Sequence, residues 1–172
     1  MFYLVVGLSM FLMLMIQATL FSVVFPMVTP ADAFTIPNLA VVVLIFAIMV
    51  RDGRNLLFVA FIIGLIQDIA FGSYVGLYAF TYSYIAYFAN LTLRLFMERH
   101  ILVFLFVVIL ALFSFELLIW GINSLFGLVD VTLAQAFDRY FWGRLLLGSA
   151  IAVIFFRPVM ALLERKGVAY YE

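Results

Sequence analysis

Apolar runs of membrane-spanning length alternate with short polar breaks along almost the whole chain. A helix that crosses a bilayer needs roughly 20 apolar residues. The first run, 2–25, is interrupted only by Ser9, Gln17, Thr19 and Ser22. It has no basic leader and no small-residue cleavage signal, so it reads as a retained anchor rather than a signal peptide. Pro26, Pro30 and Pro37 bracket a short connection to the second run, 36–50. That run is short by the length rule and predicts local bilayer thinning or a tilted neighbour. Further runs at 55–71, 74–96, 101–126 and 142–163 are separated by the charged turn Arg51-Asp52-Gly53-Arg54, by Gly72-Ser73, and by Glu98-Arg99-His100. In the longest connection, Gly127–Phe141, the positions Val131, Ala134, Phe137 and Phe141 recur at helical spacing. They predict either a short interfacial helix or an ordered loop. The pattern as a whole predicts an all-α integral membrane protein, one six-span domain over 1–172, with no repeat of its halves.

Composition agrees and narrows the chemistry. The 172 residues are 69% hydrophobic and 10% charged, whereas a soluble domain is nearer half apolar and a quarter charged. Net charge is zero, so nothing suggests nucleic acid. Cysteine is absent and histidine occurs once, as His100 in a connecting turn. Disulfides, thiolate nucleophiles, histidine-based triads and a metal cluster are therefore not expected. No phosphate-cradling loop followed by Lys-Ser/Thr occurs. The expectation is a protein without cofactor or metal, and not an enzyme.

Where the basic residues lie sets the orientation. With the N-terminus inside, the inner side receives Arg51, Arg54, Arg94, Arg99, Arg157, Arg165 and Lys166, and the outer side only Arg139 and Arg144. Both termini are thus expected in the cytoplasm. In that frame Gln17, Gln67, Asp68, Glu116, Asn123 and Arg144 all fall toward the outer leaflet.

A charge in hydrocarbon costs about 2.5–3.5 kcal/mol even on lenient insertion scales. Asp68 reads either as a carboxylate that reaches water or caps a neighbouring helix end, or as a buried, paired group. Glu116 lies deeper and must be neutral, paired with a cation such as Arg144, or facing a wet cavity. A structural role is favoured over a proton relay, because no second acid lies one turn away. Gly64, Asp68, Gly72 and Gly76 stand at strict four-residue spacing. Gly64 and Asp68 share one helix face, where a missing side chain lets a neighbour approach. Gly72-Ser73 is expected to end the third run, and Gly76 to let the chain turn back. The segment reads as a packing and pocket-shaping seam.

Three stretches in order carry a family resemblance. Pro37-Asn38 opens an aliphatic run, Leu39-Ala40-Val41-Val42-Val43-Leu44. The basic turn Arg51-Asp52-Gly53-Arg54 follows, and then Gly64-x-x-x-Asp68-x-x-x-Gly72-x-x-x-Gly76-Leu77. With length and charge pattern, this resembles the rod shape-determining MreD family. Asn38 stands where many members carry Asp, which removes one acid. The resemblance implies a multi-pass protein of the bacterial inner membrane, acting in the cell-elongation machinery. Its implied partners are MreC, and, directly or indirectly, MreB and the SEDS glycosyltransferase with its penicillin-binding transpeptidase. The implied role is non-enzymatic, binding MreC and helping to position or regulate lateral peptidoglycan synthesis. The family's architecture is similar to the S components of energy-coupling-factor transporters. That similarity motivates an alternative, a small-ligand-binding protein for vitamin uptake. Span one lacks the Ala-x-x-x-Ala seam that S components commonly carry, which counts against the alternative.

Overall fold

A computed structural model describes residues 2–23, 38–50, 54–71, 74–95, 101–128 and 132–165. Pro37 and Gly72 lie outside the described residues. Every described element is helical: α1 (Phe2–Val23), α2 (Leu39–Val50), α3 (Arg54–Phe71), α4 (Leu77–Leu95), α5 (Ile101–Leu125), α6 (Leu133–Ala136), a π-helical turn (Phe137–Phe141) and α7 (Trp142–Arg165).

The bundle is built around α2. Its twelve residues, LAVVVLIFAIMV, are apolar on every side, and seven of them are buried. A helix apolar all round belongs in an interior. Here α1, α3, α4, α5 and α7 all pack against it. At about 1.5 Å per residue it spans only roughly 18 Å, and protein covers it on its flanks. Phe46 of α2 meets Phe104 of α5 at 4.7 Å between ring centroids, and Phe104 meets Phe156 of α7 at 4.9 Å. Met10, Leu44, Ile45, Leu56, Ile85 and Val108 fill the rest of the centre.

The tightest packing in the bundle is between consecutive helices α3 and α4, and α4 in turn lies against α5. Two described helices are long and apolar enough to cross a membrane by length and composition, α1 over Phe2–Thr19 and α5 over Ile101–Leu125. α5 closes on Gly127, at φ 66°, with Gly127 N–H donating to Ser124 O and Leu128 N–H to Asn123 O. That pair of bonds is the Schellman arrangement that satisfies the last carbonyls of a helix.

The connection after α5 is helical from Leu133, as one of the two sequence expectations has it, but that helix does not stand alone. Thr132 caps α6 through a reciprocal capping box with Gln135, and the helix then runs through the π turn into α7. A π turn accommodates one extra residue without breaking the helix. It places Phe137 against Phe113 of α5, at 5.8 Å, while Phe141 is buried. The aromatic residues at helical spacing thus begin the last helix instead of forming a separate one.

Candidate functional site at the polar end of the bundle

One end of the bundle gathers the starts of α2, α4 and α7 and the closing turns of α3. Here the polar residues meet. The arrangement begins with Gly64. A Cβ built on it would lie 2.5 Å from Ala79 Cα and 2.6 Å from both Ala79 N and Tyr78 O. Only a residue without a side chain lets the α4 backbone come this near.

That approach brings the start of α4 over Asp68, one turn further along α3. Asp68 is 1% exposed. Its Oδ2 accepts from Gly76 N–H at 2.9 Å and Ala79 N–H at 3.0 Å, and its Oδ1 from Tyr78 N–H at 2.9 Å. The first amides of a helix have no partner within it, and they carry the positive end of its dipole. A buried carboxylate is stabilised there by three charge-assisted hydrogen bonds. Gly76 holds φ at 111°, a backbone conformation that glycine alone adopts easily, and this directs its N–H back to Asp68.

A second fastening lies beside the first. Asn38 precedes α2 and caps it, its Oδ1 accepting from Val41 N–H at 3.3 Å. The Tyr82 hydroxyl accepts from Asn38 Nδ2 at 2.7 Å and donates its single proton to Gln67 Oε1 at 2.7 Å, with Asn38 Oδ1 at 2.9 Å as the alternative acceptor. Tyr82 is fully buried. This one phenol ties the start of α2 to α3 and α4. Tyr82→Phe keeps the ring and removes these bonds, leaving Asn38 and Gln67 short of a partner. A loss of about 1–3 kcal/mol is expected in detergent unfolding; an unchanged midpoint would show the triad contributes nothing.

Rings continue the connection to α5. Tyr82 and Tyr78 lie 5.6 and 6.2 Å from Phe115 between centroids. The next residue, Glu116, is buried and accepts from Arg144 Nη1 of α7 at 2.6 Å. Asp68 and Glu116 therefore hold different elements together, with aromatic side chains between them. They do not form a paired-acid site. Arg144 retains 30% exposure against 7% for Glu116, so the pair reaches the bundle's edge. Glu116→Gln preserves an acceptor and should cost about 1 kcal/mol; Glu116→Leu removes the acceptor of Arg144 Nη1 and should cost about 2–3 kcal/mol. The reverse order in an unfolding assay would overturn the pairing role.

The remaining polar candidates stand apart. Asn123 donates to Ile119 O within its own helix, at 2.7 Å. Gln17 is half-buried on α1, and its Oε1 meets no hydrogen-bond donor among the described residues. Among the described residues, no three His, Cys, Asp or Glu side chains come together as a metal-ligand set.

Tyr78 and Tyr82 are not singled out by sequence reasoning. The available signal was the tyrosine repeat at 74, 78 and 82, one helical turn apart. What no residue type announces is that the partners of Asp68 are backbone amides.

No curated protein and no solved structure matches the chain significantly. The model of the family described as rod shape-determining protein MreD matches residues 2–166. That match spans every described helix, including the Asn38, Gly64–Asp68 and Gly76 positions of the polar end. The chain belongs to the MreD family, membrane proteins of rod-shape determination.

Proposed function

We propose that this protein is a non-enzymatic subunit of the bacterial inner membrane. It crosses six times with both termini in the cytoplasm, in an S-component-like bundle. It binds an MreC-type bitopic protein and through it helps to position or regulate lateral peptidoglycan synthesis. MreB and the SEDS glycosyltransferase with its transpeptidase are direct or indirect partners. The family match along the whole bundle carries this reading. The six spans are α1, α2, α3, α4, α5 and α7; the polar residues that dilute α3 and α4 are largely used inside the bundle.

The use made of the polar groups also supports a structural role. Asp68 directs both carboxylate oxygens at backbone amides, and Asn38 and Gln67 share the Tyr82 hydroxyl. A small-ligand reading would need such groups to be available to a guest.

Depletion of the protein should convert rods to spheres, and affinity purification of the tagged chain should recover an MreC-type protein. Rods that persist after depletion, with no such protein recovered, would refute the proposal.

A further inference from the structure

The outward face of α4 differs from those of its neighbours. Away from the helix ends, the large exposed side chains of α1, α3, α5 and α7 are Leu, Val, Ile and Phe. Lipid tails accept such surfaces without cost. α4 instead exposes two phenols, Tyr84 at 37% and Tyr87 at 57%. Tyr87 lies well inside α4, roughly 15 Å from Leu77 and 12 Å from Leu95 along the axis. Tyrosine is favoured at membrane interfaces, where its hydroxyl meets water. At mid-depth there is no water, and an unpaired polar group is costly. Among the described residues, neither hydroxyl has a hydrogen-bond partner.

The face is also shaped for a neighbour. Phe80, Tyr84 and Phe88 stack along the helix, with centroids 6.3 and 5.6 Å apart, as a stiff ridge. Phe88 borders the cleft between α4 and α5, whose lining includes Ala89, Ala111 and Ser114. Those alanines are buried and let α4 and α5 approach each other, so the aromatic ridge itself is the surface on offer.

We infer that this face of α4 docks one transmembrane helix of a bitopic protein. That helix presents a hydrogen-bonding side chain (Ser, Thr, Asn or Gln) at mid-depth opposite Tyr84 and Tyr87. The inference rests on the partner-binding function proposed above and locates its surface. A second copy fits less well, because two identical aromatic ridges would hold the backbones apart. Lipid fits less well still, because it leaves the Tyr87 hydroxyl in hydrocarbon without a partner.

The test uses the full chain, co-expressed with the MreC-type protein, with a photo-crosslinking benzoylphenylalanine placed singly at Tyr84, Tyr87, Phe61 or Phe155. Tyr84 and Tyr87 should yield adducts whose peptides map to the partner's transmembrane helix, and Phe61 and Phe155 should not. In parallel, Tyr84→Phe combined with Tyr87→Phe should reduce partner recovery roughly five- to tenfold, the loss of two interhelical hydrogen bonds, while leaving the chain's own unfolding unchanged. Adducts to a second copy, or to lipid alone, with the partner still co-purifying, would overturn the docking assignment and leave the function standing. Failure of the partner to co-purify with the unaltered chain would overturn both the docking assignment and the partner-binding part of the proposed function.

Discussion

Asp68→Ala is expected to lower folding stability by about 3–5 kcal/mol, measured by denaturant unfolding of the purified protein in detergent. Three amides, those of Gly76, Tyr78 and Ala79, lose their acceptor together. Each buried donor left unsatisfied costs about 1–3 kcal/mol, and part of that is recovered where water or a local shift can reach the end of α4. Asp68→Asn should fall between the two, because an amide keeps only one accepting oxygen. It can serve Tyr78 or the Gly76–Ala79 pair, but not both. A near-neutral Asp68→Ala would mean that the carboxylate does not hold α4 in place.

Gly64→Ala should be of similar severity, about 3 kcal/mol, although it adds a single methyl group. Overpacking usually costs about 1–3 kcal/mol, and the upper end applies because the obstruction is backbone. A Cβ at Gly64 would meet Ala79 Cα, Ala79 N and Tyr78 O, and none of these can rotate away. The helices must part, and parting them lengthens the Asp68 bonds to the same two residues. The two substitutions therefore share one cost, and the double variant should lose less than the sum of the singles. Gly121→Ala in α5 is the control. Nothing lies within 4 Å of a Cβ built there, so alanine's better helix propensity should make it neutral or slightly stabilising. Equal losses at Gly64 and Gly121 would remove the close approach from the account.

These two predictions also mark what could be read from the chain without its structure. The spacing of Gly64 and Asp68 places a gap and a carboxylate on one face, and that much is periodicity. Which backbone occupies the gap is not encoded in residue types, since any L-residue supplies an amide. The partners of Asp68 lie eight to eleven positions downstream, across a turn whose geometry depends on the positive φ of Gly76. Asn38 and Tyr82 are 44 positions apart; each is a common residue in a membrane helix, and only packing of α2 on α4 pairs them. α1 and α5 were legible because length and hydropathy alone define them. The helical spacing of Ala134, Phe137 and Phe141 was legible too, but not that this stretch runs on into α7 through a π turn, which shifts the register between them. The ion pair of Glu116 with Arg144 was readable as an option, since a deep acid needs a counter-charge and Arg144 was among the few cations toward that end. Its certainty comes from the contact of α5 with α7.

A single picture of the polar end follows. Its hydrogen bonds fasten helix ends to one another: Asn38 at α2, Asp68 at α4, and Glu116 to the start of α7. The groups most suggestive of chemistry in the sequence are engaged in holding a short, wholly apolar α2 and its neighbours in register. On the function proposed above, what matters is the shape of the bundle and the surface it offers to partners.

The most direct test of that claim is a plot of rod-shape rescue against folded fraction. The cells lack the native protein and carry Asp68→Ala, Asp68→Asn, Gly64→Ala, Tyr82→Phe or Glu116→Gln. A fastening role predicts that all variants fall on one curve, with rescue lost only as the folded protein disappears. Asp68→Asn folded to the unaltered level but leaving the cells spherical would contradict it, because the carboxylate would then be needed for more than holding α4.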